Sequence, residues 1–239
     1  MGRYTSMSAY YDVIMTSGYY DYPKIVDGLI NEHPPQKILE LGCGTGLIIE
    51  ELAKRKPDVP ITGIDLTPEM LAIAQDRLRG FHNVRLMQQN VCQLQLPDQH
   101  DLVFSYGGVW YFVVEQGKEP FMVSHIPSHD DNVHGIEKMA AYIAQGGRLM
   151  LGTQGPHFNY ERKISNGMTY SQQIEPREDG FIKHYFLDDG QERVMSQTIH
   201  YRTYSFDEAC AMLASVGLHH DEDASQGNSD SVFIGFSKS

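Results

Sequence analysis

Lys37-Ile38-Leu39-Glu40-Leu41-Gly42-Cys43-Gly44-Thr45-Gly46-Leu47 joins a short apolar strand to three alternating glycines and then to a helical pattern. Glycines at such a crossing let the chain turn sharply and let a ligand lie against main-chain N–H groups with no Cβ in the way. The segment predicts a ligand cradle between the first strand of an α/β sheet and the helix that follows it.

The spacing is Gly42, Gly44, Gly46, with Leu47 where a dinucleotide-binding turn places its third glycine, three positions after the second. Glu40 sits two residues before the first glycine. A carboxylate there repels a pyrophosphate and suits a ligand bearing an ammonium and a sulfonium, so S-adenosylmethionine fits better than NAD. Ile61-Thr62-Gly63-Ile64 then ends in Asp65, 19 residues past Gly46. A carboxylate at the tip of a second strand can accept from both ribose hydroxyls of an adenosine.

Four stretches in order carry a family resemblance: I-L-E-L-G-C-G-T-G (38–46), G-I-D-L-T-P-E-M-L (63–71), Q-N-V-C-Q-L-Q-L-P-D-Q-H-D-L-V-F-S (89–105) and L-M-L-G-T (149–153). The chain from Ile38 to about Gln154 resembles the class I S-adenosylmethionine-dependent methyltransferases of small-molecule type. The resemblance implies cofactor contacts from Glu40, Gly42, Gly44, Gly46, Asp65 and Leu66. It also implies adenine contacts from Asn90 and Val91, where the family commonly has an acidic residue before the apolar one, and a backbone contact from Tyr106. Tyr11-Asp12 resembles the Tyr-Asp pair near the methionine end of the cofactor, which makes Tyr11 a lid candidate. His100 stands where the family often has Phe and reads as a semi-exposed strand start.

With 239 residues the chain can hold one large α/β domain with a cap. Lys and Arg total 19 against 31 Asp and Glu, for a net charge of −12, and no basic block is present. Attraction to a phosphate backbone is therefore lacking, and nucleic acid is not expected as a partner. The first residues lack the apolar run of a secretory signal, and no stretch approaches the ~20 apolar residues needed to span a bilayer. A cytoplasmic monomer or homodimer without membrane attachment is expected. Cys43, Cys92 and Cys210 have no paired spacing and read as packed residues in a reducing compartment.

The periodicity predicts a helix over 19–31, then strands and helices alternating through 37–154, with a helix over 133–144 before a strand at 148–153. The expected fold is α/β, a doubly wound, mostly parallel sheet (Rossmann-like methyltransferase fold) with an antiparallel β flap inserted before the last helix. The flap is signalled by extended runs at 181–187 and 193–204 around Asp188-Asp189-Gly190. Ser205-Phe206-Asp207-Glu208 reads as a capping box, and 232–236 as a closing strand. The expected division is an N-terminal lid arm and helix over 1–36 and a cofactor-binding core over 37–154. An antiparallel flap over the active site follows at 155–204, and a C-terminal helix and strand at 205–239 complete the sheet.

Six of the 14 tyrosines fall within the first 22 residues. The segment from Ser105 to Asn132 is nearly twice the length usual in the family, and loops of this length are commonly functional. Tyr19, Trp110, Tyr111 and His125 are candidates for the acceptor pocket. His125, His129, Asp130, Asp131 and His134 cluster in sequence, but Pro127 interrupts the helical spacing that would bring the first two histidines together, so no metal site is expected. Asp130 and Asp131 suit a helix start, and 219–223 reads as a solvated turn.

Methyl transfer from a sulfonium is an in-line displacement that needs alignment and exclusion of water more than a dedicated base. His125, His184 and Tyr20 are the candidates should the acceptor need one. The aromatic arm and acidic chain favour an amine nitrogen of a small molecule as acceptor, with an O-methyltransferase acting on hydroxyl or carboxyl as the alternative. An NAD-dependent oxidoreductase and a non-catalytic cofactor-binding subunit are the readings from other classes.

Overall fold

The computed structural model describes residues 4–31, 34–221 and 231–239. β1 (Ile38–Leu41), β2 (Ile61–Asp65), β3 (Val84–Gln88), β4 (His100–Ser105) and β7 (Ile143–Gln154) form a parallel sheet in the order β3-β2-β1-β4-β7. β13 (Phe233–Lys238) runs antiparallel on β7, and β12 (Leu218–His220) pairs with β13. The helices are α1 (Ser8–Met15), α2 (Tyr22–Ile30), α3 (Leu47–Arg55), α4 (Pro68–Leu78), α5 (His129–Ala140) and α6 (Phe206–Ala214). β1 is buried along its whole length, as a strand covered on both faces must be. One apolar cluster, including Ile49, Leu52 and Phe104, packs α2 to α4 against the sheet. A second, including Val103, Met139 and Leu149, packs α5 and α6.

β7 outruns β4, and its last two residues pair instead with β5 (Trp110–Val113). From there a second sheet continues antiparallel through β6 (Phe121–Ser124), β11 (Glu192–Ser205), β10 (Gly180–Asp189), β9 (Thr169–Arg177) and β8 (Tyr160–Lys163). The strands β8 to β11 are the antiparallel insertion before the last helix. The turn of the β10–β11 hairpin contains Gly190, at φ +61°.

Several elements differ from the sequence expectation. The long segment after β4 is a hairpin, because its two apolar runs, W-Y-F-V and F-M-V-S, pair with each other and bridge the two sheets. The N-terminal arm contains α1, whose Ile14 and Met15, with Met7 just before it, are buried in the cluster formed with the second sheet. α5 starts four residues earlier than expected because the Ser128 hydroxyl accepts from the Asp131 N–H at 3.3 Å. His100 is 2% exposed rather than semi-exposed, with Nε2 3.4 Å from the Thr62 hydroxyl. His219 and His220 belong to β12, with His220 packed on Phe206 and Phe236; Glu222 and Asp223 lie outside the described residues. The capping box at Ser205 forms with both of its reciprocal bonds. Among the described residues no helix is long and apolar enough to cross a membrane, and no group of three or more His, Cys, Asp or Glu is placed to hold a metal.

Candidate active site

The carboxyl ends of β1, β2 and β4 meet the glycine turn at a cleft of about 610 Å³, including its open mouth. This lies within the ~300–1,000 Å³ of small-molecule sites. Gly42 and Cys43 donate their N–H groups to Ile64 O at 2.8 and 2.9 Å, which ties the turn to β2. A Cβ on Gly42 would stand 2.9 Å from Gly108 Cα, and one on Gly108 would stand 2.4 Å from Leu41 O. Two main chains thus pass each other at the cleft floor at a separation that only glycine permits. Over Gly44 the nearest atoms to a notional Cβ belong to Tyr11, at 3.8 Å, so this part of the turn looks into the cleft.

Asp65 lies at the cleft wall. Its Oδ2 accepts from Gly44 N–H at 2.9 Å and its Oδ1 from Thr67 N–H at 2.8 Å. The second bond stands in for the side-chain cap that Thr67 itself does not make at the start of α4. Each carboxylate oxygen keeps a lone pair for a further donor. Burial raises the Asp65 pKa against the lowering effect of these bonds. Glu40 is 3% exposed, its Oε2 has no partner among the described residues, and burial followed by the charge of Asp65 pushes its pKa well above the usual range. Two carboxylates beside one glycine turn, one with an orphaned oxygen, fit a cationic adenosyl ligand and not a pyrophosphate.

Of the expected cofactor residues, Tyr11, Gly42, Gly44, Asp65, Leu66 and Val91 line the cleft. Glu40 lies beneath it. Gly46 stands behind it as the residue before α3, where a Cβ would meet Leu78 at 2.8 Å. Asn90 turns its Oδ1 to Cys92 N–H at 3.0 Å, and it is the neighbouring Gln89 that reaches the cleft. The Tyr106 ring packs against Tyr20 and Phe233, and the two residues that follow it, Gly107 and Gly108, line the cleft.

A second chamber of about 390 Å³ adjoins the cleft, and Tyr4, Tyr11, Gly107 and His125 line both. Tyr19, Tyr20 and Tyr111 are brought to it as expected. Trp110 is not. Alternation along β5 turns Tyr111 to the chamber and Trp110 to the core, where Nε1 donates to Asn132 Oδ1 at 2.8 Å. His184 is also absent from the chamber. Alternation along β10 points Lys183 and Tyr185 inward, while His184 meets Thr198 at 3.0 Å and Glu175 at 3.6 Å on the other face. His125 Nε2 lies 2.9 Å from the Tyr4 hydroxyl, which lies 2.9 Å from that of Tyr201, in turn 2.7 Å from that of Tyr185. Burial lowers the His125 pKa to about 3, so the imidazole is neutral and weakly basic. Tyr4, Lys183, Tyr185 and Tyr201 were missed. Only strand alternation could have found the last three, and only with knowledge of which face is covered.

Residues 38–124 match a methyltransferase domain model. Over 69 residues the chain is 41% identical to a malonyl-[acyl-carrier protein] O-methyltransferase of Bacillus cereus, covering 29% of this chain and 25% of that one. The enzyme of the same name from Acetivibrio thermocellus is 37% identical over 130 residues, 52% of this chain and 40% of that one. The matches thus span less than half the length of these relatives. Among solved structures, an amino pentose methyltransferase from Micromonospora echinaspora, with S-adenosylmethionine bound, superposes with a TM-score of 0.67 at 18% identity over 96% of both chains. DesVI of Streptomyces venezuelae does so with 0.69 at 17% identity, over 95% of this chain and 96% of that one. At these identities the likeness is one of fold.

Proposed function

Since the chain belongs to the class I S-adenosylmethionine-dependent methyltransferases, we propose that it transfers the methyl group to an oxygen of a small-molecule acceptor held in the tyrosine-lined chamber. The observation that carries this reading is the continuity of cleft and chamber through Tyr4, Tyr11, Gly107 and His125. A donor in the first space and an acceptor in the second would meet across those four residues. Bound in the cleft, S-adenosylmethionine supplies an electrophilic methyl group on a positively charged sulfur. In this reading Asp65 takes the ribose hydroxyls, Glu40 offsets the ligand's positive charge from beneath the turn, and Gly42, Gly44 and Gly108 let the ligand lie against the backbone. Tyr11 and Tyr4 cover the junction and keep water from it. Alignment of this kind can supply about 7–11 kcal/mol of a displacement barrier.

The choice between nitrogen and oxygen follows from the chamber wall. Its polar groups are phenol hydroxyls, the Gln154 amide, a neutral imidazole and the Lys183 amine. The phenol hydroxyls can donate to oxygen, and the Lys183 ammonium both donates to oxygen and repels a cationic amine, so the oxygen alternative is favoured over the amine that the aromatic arm suggested. The relatives named above, whose names say O-methyltransferase, accord with this choice. A labelled-methyl assay over a panel of amines, phenols and carboxylic acids, with calorimetry against S-adenosylhomocysteine, tests it. Binding together with oxygen-linked label is the expected result. Absence of binding, or label on nitrogen, would overturn it.

A further inference from the structure

Lys183 is 3% exposed and lines the chamber, and among the described residues no carboxylate or hydrogen-bond partner offsets the burial of its amine. Its Nζ stands 5.6 Å from the Phe181 ring centroid and 5.5 Å from that of Tyr201. Aromatic faces attract a cation but supply no counter-charge. An unpaired ammonium is costly to bury, and at this wall it is exchangeable at no cost to volume for an apolar side chain. It is also the one Lys, Arg, Asp or Glu among the described residues lining the chamber.

We propose that the Lys183 ammonium docks a carboxylate of the acceptor and that an oxygen of this carboxylate is the atom methylated. The inference rests on the methyltransferase reading above and names its substrate class. One positive charge matches one carboxylate, whereas a phosphate would bring a second negative charge for which the chamber has no partner. Every charge balances in the step. The carboxylate oxygen forms a bond to the methyl carbon, and the carbon–sulfur bond breaks with its electron pair remaining on sulfur. Carboxylate and sulfonium become a neutral ester and a neutral thioether, and no proton moves. A hydroxyl or an ammonium acceptor would need a proton taken away, which Lys183 cannot do while it is protonated for docking, and the imidazoles near it are poor bases, since burial holds His125 and His157 down at about 3. The ester no longer pairs with Lys183, which favours its release.

Burial lowers the Lys183 pKa to about 7. The groups facing it do not titrate nearby. The Tyr4 phenol is raised to about 12, those of Tyr111, Tyr170, Tyr185 and Tyr201 well above their ordinary value, and the two imidazoles are lowered as above. Docking needs the protonated lysine, so kcat/KM falls as pH rises through about 7 in the free enzyme.

The test incubates the full chain with methyl-labelled S-adenosylmethionine and either a panel of carboxylic acids and their primary amides or a small-molecule cell extract, then treats the product with alkali. Methyl esters release volatile methanol, whereas methyl ethers and methylamines do not. The expected result is alkali-labile label, transfer to acids but not to amides, and a drop of about 100-fold in kcat/KM for Lys183→Met with S-adenosylhomocysteine affinity unchanged. The wild-type pH profile should fall above about 7 and requires no variant to fold. Alkali-stable label on oxygen, or full activity in Lys183→Met, overturns the carboxylate proposal and leaves the methyltransferase reading standing. Label on nitrogen overturns the oxygen assignment as well, and no label with any acceptor overturns both.

Discussion

The Thr45 hydroxyl, inside the glycine turn, donates to Asp12 Oδ1 on α1 at 2.6 Å. Asp12 also pairs with Arg77 on α4, whose Nε donates to Thr45 O at 2.9 Å. The N-terminal helix is therefore tied to the turn itself, one residue after Tyr11 stands over Gly44.

Asp12→Ala should loosen that tie. The groups are partly exposed, so screening limits their worth to about 1 kcal/mol, which corresponds to roughly a 5-fold loss in S-adenosylhomocysteine affinity. Calorimetry decides the matter, and limited proteolysis should cut the arm faster in the variant. Equal affinities would detach α1 from cofactor retention.

Asp65 holds two backbone N–H groups and has capacity for two more donors. Asp65→Ala should weaken cofactor affinity by more than about 1.5 kcal/mol through lost charge-assisted hydrogen bonds. Asp65→Asn, which retains one acceptor oxygen, should lose less. Because Asp65 also caps α4, the melting temperature should drop in both variants. Unchanged affinity in Asp65→Ala would remove this residue from the ribose.

The parallel sheet was legible because its strands are buried on both faces and read as apolar runs between turn residues, and because Gly42, Gly44, Gly46 and Asp65 announce a strand-end site. The capping box at Ser205 was legible for the same local reason. What was not legible depended on contacts distant in sequence. The runs at 110–113 and 121–124 are strands because β7 and β11 lie beside them, and nothing near Trp110 says that Asn132 awaits its indole. On β10, period-two alternation groups Lys183 with Phe181 and Tyr185, but the covered face is set by α1 and β5. Histidine chemistry pointed to His184, whereas the fold turned its neighbour inward.

Gly108→Ala probes the crossing of the two main chains. The added Cβ would meet Leu41 O at 2.4 Å and Gly42 O at 3.0 Å. Neither is a flexible side chain, so the glycine turn must move. Overpacking of this kind costs about 1–3 kcal/mol, and the displaced turn should lose most of its cofactor affinity. A variant with native melting temperature and native affinity would show that the two segments lie farther apart than described.

Glu40→Gln should separate stability from binding. Glu40 is buried without a partner for Oε2, and its folded pKa is raised by burial first and by the nearby Asp65 charge second. An acid with a raised folded pKa binds more protons in the native state than in the unfolded chain. The protein therefore loses stability as pH climbs from about 4.3, the unfolded value, through the folded one. Glutamine keeps the shape and carries no charge. The melting-temperature difference between variant and wild type should be near zero around pH 4 and should grow in favour of the variant toward pH 8. Affinity for S-adenosylmethionine should move the other way, falling about 10-fold at pH 8 as the charge that faces the cationic ligand is lost. A variant that gained no stability with rising pH would show Glu40 to be solvated in the free protein. One that gained stability yet kept full affinity would show that the ligand's positive charge is balanced elsewhere.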